Sequence, residues 1–452
     1  MQLRRRDVNL LEGPILKNVL LFAIPIMFSS ILQLLFNAAD VIVVGQFAGQ
    51  TELAAVGSTG STVNLIVNLC IGLSIGTNVV VARYIGEQNT EGIRRTVHTS
   101  ILLSIISGLL AGAVLFFCSG ALMRLLRTPA DILPSASAYL KAYAVGVPAS
   151  IIYNFGTAIL RAKGDTTRPL YFLAIAGVVN VALNLLFVIV FGMGAVGVGI
   201  ATAASQYVAA TLVTICLIHE EGAVKLYVGR LRLYKKEFLS IVAIGIPAGI
   251  QSCMFSISNM LIQSSINSFN STAIVAGNSA AANIEGFVYV AMNAMYQTVL
   301  TVTGQNLGAR NFGRIDKGLS VCCGCVTVIG AVLGGLVVLC SKPLLSIYST
   351  DSEVIFYGSQ RFLFLALPYF LCGLMDTLMG AVRGLGYAVV PMVVSIMGAC
   401  VFRVFWIFTV FQKYHTLPSL FISYTISWIL TGGTHLICYL ILRKKVRRKF
   451  SN

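Results

Sequence analysis

Residues 16–46 read LKNVLLFAIPIMFSSILQLLFNAADVIVVGQ, with Lys17 and Asp40 as the only charged residues. A helix needs about 17–25 apolar residues to cross a bilayer, so this stretch spans with length to spare. The excess, together with Pro25 inside it, predicts a bend or tilt. No cleavage site follows, and the run is too long for the apolar part of a signal peptide, so it is expected to remain as a span. Working outward, apolar stretches of the same kind recur at about 53–82, 96–118, 134–158, 168–191, 196–218, 238–266, 278–302, 318–340, 355–381, 388–411 and 418–442. Together with the first, they predict twelve transmembrane helices.

The composition agrees. Of 452 residues, 57% are apolar and only 11% charged, where an ordinary soluble domain has about 25% charged residues. The mean hydropathy is +0.86. A soluble globule could not hide that much apolar surface, and a disordered chain would be polar and charge-rich. These numbers exclude soluble enzymes and nucleic-acid-binding domains. The fold class is an all-α polytopic membrane protein.

A net charge of +16 could suggest a nucleic-acid partner, but the charges sort by side of the membrane. With the N-terminus inside, 25 of the 32 basic residues fall on one face. They include Arg4, Arg5, Arg6, Arg94, Arg95, Lys163, Arg168, Lys225, Arg230, Arg232, Lys235, Lys236, Arg314, Arg383 and the tail from Arg443 to Lys449. Arg124, Arg127, Lys141, Lys342, Arg361 and Lys413 lie on or near the other face, and Arg403 falls within a span. The positive-inside rule then puts both termini in the cytoplasm, as a multi-pass protein of the cell (inner) membrane. No nucleic-acid partner is implied. A basic tail can also meet anionic lipid headgroups.

Several superficial motifs dissolve on inspection. Cys322, Cys323 and Cys325 sit in an apolar span without His or carboxylate at ligand spacing, so packing explains them better than a metal. The GMGAVGVG run at 192–199 lacks the strand-turn-helix setting of a nucleotide fingerprint and reads as a tight turn between spans. Neither a Walker motif nor a hydrolase arrangement is present, so no enzyme activity and no cofactor are expected.

A twofold repeat appears at a constant offset of 222. Ile24-Pro25 matches Ile246-Pro247, Gly86 and Asn89 match Gly308 and Asn311, and Thr128 and Asp131 match Thr350 and Glu353. Arg161, Gly164 and Pro169 match Arg383, Gly386 and Pro391. Each copy holds an even number of spans, so the copies enter from the same side and are parallel repeats about an axis along the membrane normal. The expected organisation is an N-terminal lobe at 1–218, a cytoplasmic linker at 219–236, and a C-terminal lobe with a basic tail at 237–452. Two such lobes around a central cleft can rock to give alternating access.

Three acidic residues are intramembrane: Asp40, Glu285 and Asp376. Each costs at least about 2.5–3.5 kcal/mol at the bilayer centre. Such a cost is tolerated where the group serves an ion or proton, or where it pairs internally, with Arg403 the obvious counter-ion for one of them. Gln33, Asn37 and Asp40 form one polar stripe on the first span, which lipid would penalise. Asn180 and Asn184 share a helical face. Their amides can join Asp40 around Na⁺ or a proton-bearing network, or serve interhelical hydrogen bonding alone. A carboxyl group in low dielectric holds its proton more tightly, and an organic cation or Na⁺ competes with that proton for one carboxylate. Exclusive occupancy with alternating access is antiport.

These residues resemble the multidrug and toxic compound extrusion (MATE) family, in its bacterial form. The resemblance rests on the twelve spans, Pro25, Asp40, the Val302-Thr-Gly-Gln-Asn-Leu-Gly-Ala-Arg stretch, Leu160-Arg-Ala-Lys-Gly-Asp-Thr with its repeat Val382-Arg-Gly-Leu-Gly, and the run Gly194-Ala-Val-Gly-Val-Gly-Ile-Ala. It covers nearly the whole chain and implies multidrug efflux of organic cations and other xenobiotics in exchange for H⁺ or Na⁺. By position, Asp40 and Asn180 match the family's first-span acid and fifth-span asparagine, whereas Asn184 stands where relatives often carry an aspartate. Glu285 resembles a span-8 glutamate of related members, and Asp376 corresponds to a span-10 acid. The polar faces and the resemblance together put ion or proton coupling at Asp40, Asn37, Asn180 and Asn184, with possible Na⁺ at Asp40, Asn180 and Asn184. Second-lobe charge or substrate contact falls to Glu285, Asp376 and Arg403. Partners are organic cations or drugs and the bilayer, and a monomer is expected. The rival readings are a lipid or lipid-linked oligosaccharide flippase of the same wider superfamily, and a channel or sensor.

Overall fold

The computed structural model describes residues 7–126 and 128–451. Arg4, Arg5, Arg6 and Arg127, which enter the charge distribution, lie outside the described residues. Among the described residues there is no strand. The long helices are α1 (Ile15–Phe47), α2 (Gln50–Gly86), α3 (Thr90–Leu125), α4 (Leu133–Lys163), α5 (Thr167–Val190) and α6 (Gly194–Ile218). They continue as α7 (Lys235–Asn267), α8 (Thr272–Gly308), α9 (Phe312–Leu339), α10 (Ser352–Ala366), α11 (Tyr369–Gly384), α12 (Val389–Phe411) and α13 (Leu417–Ser451).

Ten of these are long and apolar enough to cross a membrane, and α10 with α11, bent by 42° at their break, make an eleventh span. The break falls at Leu367 and Pro368, as expected where proline removes a backbone donor. The twelfth span is α8, whose 37 residues have the length but whose Asn278, Asn283, Glu285, Asn293 and Gln297 dilute its apolar character. The twelve expected spans therefore map onto the thirteen helices, with α10 and α11 sharing one span, and α1 runs unbroken through Pro25.

Several helices extend past their apolar runs because polar caps start them early. Asn89 Oδ1 accepts from Gly92 N at 2.8 Å and Asn311 Oδ1 from Arg314 N at 3.1 Å, each satisfying an orphan amide at a helix start. These caps are repeat partners. So are Gln88 and Arg310 (φ 54° and 57°) and Gly164 and Gly386 (φ 110° and 91°), so the duplication is written into backbone conformation as well as sequence.

Two compact units emerge. Among the described residues, the first comprises Asp7, Val8 and Phe28–Gly249; the second comprises Asn9–Met27 and residues 250–451. The unit boundaries thus fall inside α1 and α7. Within the first unit, α2 and the start of α7 cross through Gly72, Gly76, Gly245 and Gly249. A Cβ on Gly72 would stand 2.4 Å from Gly249 N, and one on Gly76 2.3 Å from Ile241 O. Paired small-xxx-small motifs let backbones approach this closely in membranes, where packing rather than the hydrophobic effect drives association.

The first unit is laced at one end by ions. Lys163 Nζ lies 2.9 Å from both Asp7 and Glu220, and Arg168 pairs with Glu220 at 2.5 Å and with Asp165. Burial pushes the Glu220 carboxyl up, but hydrogen bonds from Lys163 and Arg168 outweigh it and hold its pKa below the ordinary value. In the second unit, Arg314 grips the N-terminal segment through the carbonyls of Leu10 (2.8 Å), Glu12 (2.7 Å) and Gly13 (2.9 Å).

Candidate functional site

The polar centre of the first unit is built from α1, α5 and α6. Phe36 and Asp40 share a face of α1, and Gly177, Asn180 and Asn184 share a face of α5. The Phe36 ring occupies the space a side chain at Gly177 would need, with its Cε2 1.8 Å from the would-be Cβ. That absent side chain brings α1 against α5 and delivers Asp40 to the two asparagines.

The bonds that result are specific. Asn184 Nδ2 donates to Asp40 Oδ1 at 2.5 Å and to Asn180 Oδ1 at 3.2 Å. Thr202 Oγ1, from α6, donates to Asp40 Oδ2 at 3.3 Å and accepts from Asn180 Nδ2 at 3.4 Å. Asn180 and Asn184 are buried, while Asp40 and Thr202 are half-buried. An apolar cluster of Val43, Val44, Tyr139, Val188, Ala195 and Val198 packs close by.

Two features decide what this centre can do. None of the described ion pairs gives Asp40 a basic partner, so its charge is balanced only by neutral donors. Asn184 Oδ1 is buried without a hydrogen-bond partner, an acceptor left open where each unmet group costs about 1–3 kcal/mol. A carboxylate, amide oxygens and a hydroxyl form an all-oxygen set, which suits a hard cation or a proton. Asn37 and Gln33 are exposed on α1 and no described hydrogen bond joins them to this group.

The second unit handles its charges differently. Glu285 on α8 is met by Arg361 on α10: Nη2 lies 2.7 Å from Oε2, and Nε lies 3.2 and 3.1 Å from the two carboxylate oxygens. Arg361 Nη1 also donates to Asn278 Oδ1 at 2.6 Å, Asn278 donates to Gln263 at 3.1 Å, and the guanidinium lies over Phe421. The expected counter-ion, Arg403, is engaged elsewhere. Its Nε donates to Ser427 Oγ at 2.9 Å and its guanidinium sits 4.1 Å from the Tyr424 ring centre, a desolvated cation–π contact. Asp376 is buried beside the Tyr289 hydroxyl, which hydrogen-bonds it, with Arg383 and Arg403 as the cations acting on it. Arg383, also buried, donates to Tyr296 OH at 2.5 Å and to Gln251 Oε1 at 2.7 Å, and its Nε has no acceptor.

Sequence reasoning missed Thr202, Arg361 and Tyr289. Thr202 is a lone hydroxyl in an apolar helix, which carries no signal of its own. Arg361 was readable: Pro368 divides the span at 355–381, and the piece before it carries the arginine inward.

The MatE family matches residues 25–186 and 247–409. The chain belongs to the MatE family. The two matched stretches are the two repeat copies, each opening at the proline of a long helix, Pro25 and Pro247. Among relatives, the chain is 29% identical over 87% of its length, and 87% of the relative's, to the probable multidrug resistance protein YpnP of Bacillus subtilis. It is 25% identical over 80% of both chains to a FAD transporter of Shewanella oneidensis. In fold it superimposes on a solved outward-facing multidrug resistance MATE family transporter of the MOP superfamily. There the TM-score is 0.91 at 22% identity, covering 99% of this chain and all of that one. This MatE member is a multi-pass, all-helical membrane protein.

Proposed function

We propose that this chain is a secondary-active multidrug efflux antiporter of the cell membrane, with both termini cytoplasmic, that exports organic cations in exchange for H⁺ or Na⁺. The observation that carries the reading is the unpaired carboxylate of Asp40, held by the neutral donors Asn184 and Thr202 beside an open amide oxygen. A carboxylate with no resident cation is available to one. Proton, Na⁺ and organic cation then exclude one another there, and alternating access turns exclusion into exchange. Relatives named as multidrug resistance proteins support the substrate class.

The test is uptake of a fluorescent organic cation into proteoliposomes under an imposed H⁺ or Na⁺ gradient, wild type against Asp40→Asn. Wild type is expected to accumulate the dye with one of the gradients, and the variant to fall to the level of protein-free vesicles. Unchanged ion dependence in the variant would remove Asp40 from the coupling.

A second reading, transport of an anionic substrate, draws on Arg383, a buried cation that hydrogen-bonds neutral acceptors, acts on Asp376 and keeps an open Nε, and on the relative named a FAD transporter. Gradient-driven uptake of a flavin nucleotide without any uptake of organic cation would favour it.

A further inference from the structure

The 219–236 segment between α6 and α7 is a folded platform. Leu226 N donates to Leu217 O at 2.9 Å, Tyr227 N to His98 Nε2 at 3.2 Å, and Tyr234 N to Thr99 Oγ1 at 3.1 Å. Thr99 Oγ1 lies 3.4 Å from Arg232 O, while Val224 and Leu226 are buried. The segment is therefore pinned along the start of α3 and held within a few residues of two membrane spans.

Its outer surface is both cationic and apolar. Tyr227 stacks on His98 and carries Lys225 and Arg230 at 5.5 and 5.2 Å from its ring centre. Tyr234 carries Arg95 and Arg232 at 5.3 and 6.0 Å. Arg230, Arg232, Lys235 and Lys236 are exposed, and none of them enters a described ion pair. Between them stand the exposed apolar side chains Val228 (57%), Leu233 (41%) and Leu239 (53%). The carboxylates of the region are engaged or withdrawn: Glu91 with Arg94 and Arg95, Glu220 with Lys163 and Arg168, Glu237 by burial. Glu221 is exposed, and the Glu91 side chain is nearly half exposed.

We propose that this platform, Lys225 to Leu239, is a docking surface for anionic phospholipid headgroups of the adjoining leaflet. The basic side chains take the phosphodiesters while Val228 and Leu233 dip to the acyl boundary. Cations interleaved with exposed aliphatic residues beside a span match an interface that is negative outside and apolar beneath. RNA offers the same charge but is held by stacking bases on open aromatic faces. Here His98 already stacks on the Tyr227 ring and cations flank both tyrosine rings, and valine and leucine would face water in such a complex.

Native mass spectrometry of the full chain, released from nanodiscs of phosphatidylcholine mixed with phosphatidylglycerol, tests the assignment. Wild type is expected to retain phosphatidylglycerol preferentially. Together Arg230→Gln, Arg232→Gln, Lys235→Gln and Lys236→Gln should cut that preference by about tenfold or more. Neutralising Lys444, Lys445, Arg447 and Arg448 in the tail should leave most of it. An unchanged preference in the four-site platform variant overturns the proposal, as does its loss in the tail variant alone or its displacement by polyuridylate. A second measurement leaves the charges intact. Val228→Cys carries a bimane in a background with the exposed Cys118 and Cys340 changed to Ser. Spin-labelled phosphatidylglycerol should quench it more strongly than spin-labelled phosphatidylcholine, and equal quenching overturns the proposal.

Discussion

The two units share a scaffold and differ in chemistry. What repeats at the offset of 222 is punctuation: the caps Asn89 and Asn311, the turns at Gln88 and Arg310, and the glycines 164 and 386. Arg161 and Arg383 also repeat, each with a buried Nε that has no acceptor, but the residues around the acids do not. Asp40, Asn180, Asn184 and Thr202 face Ile262, Phe402, Trp406 and Tyr424 at the same offset; Glu285, Arg361, Asn278 and Gln263 face Val63, Tyr139, Val56 and Val41. Duplication kept the positions where the backbone has few options and released those where a side chain meets a cavity or a neighbour. One unit holds an acid without a cation. The other holds an acid locked by one, with further buried arginines around it.

That contrast is easiest to break through stability. Glu285→Ala leaves Arg361 buried without its counter-charge and should cost about 3–5 kcal/mol, seen as a lowered unfolding midpoint in detergent. Glu285→Leu combined with Arg361→Met should recover most of it. Asp40→Asn, by contrast, removes no ion pair and should shift stability by no more than about 1 kcal/mol while abolishing gradient-driven uptake. Comparable destabilisation by both would erase the distinction between a lock and a site.

The shared punctuation can be sharpened in the same assay. Gly164→Ala meets both a positive φ and the Val8 carbonyl, 2.4 Å from the new Cβ, whereas Gly386→Ala meets only the positive φ. The backbone term is roughly 1–2 kcal/mol in each, so the first copy should lose clearly more. Equal losses would mean the two turns carry equal loads.

Smaller effects probe the first unit's charge. Asn184→Asp adds a second carboxylate beside Asp40 and should raise Na⁺ affinity by about tenfold through Coulomb attraction, measured by Na⁺-dependent protection of a site-directed label. Thr202→Val removes the hydrogen bonds to Asp40 and from Asn180, each worth about 1 kcal/mol, and should weaken ion binding by about fivefold or more. No change with Thr202→Val would confine the centre to α1 and α5.

Most of the fold was legible because bilayers impose length and apolarity on each span separately, and those are properties of local sequence. The exception is α8, which reads as an apolar stretch like the others but carries Asn278, Glu285 and Asn293 along its length. In the site, Asp40, Asn180 and Asn184 announced themselves as polar residues where lipid forbids them. Their pairing rested on Gly177, whose importance is the side chain it lacks, and no periodicity flags an absence. The Arg403 counter-ion is met only in part, since it acts on Asp376 but enters no described ion pair. Charge alone nominates a partner, but Tyr424 and Trp428 can satisfy a guanidinium without any carboxylate.

The amide at position 184 also has an electrical consequence. With Asp40 as the single acid in this group, the exchange proposed above would be electroneutral if one monovalent cation entered for each one that left. The net displacement across the bilayer is then zero. Membrane voltage does no work on such a cycle, and the chemical gradient of the coupling ion alone sets how far a drug can be expelled.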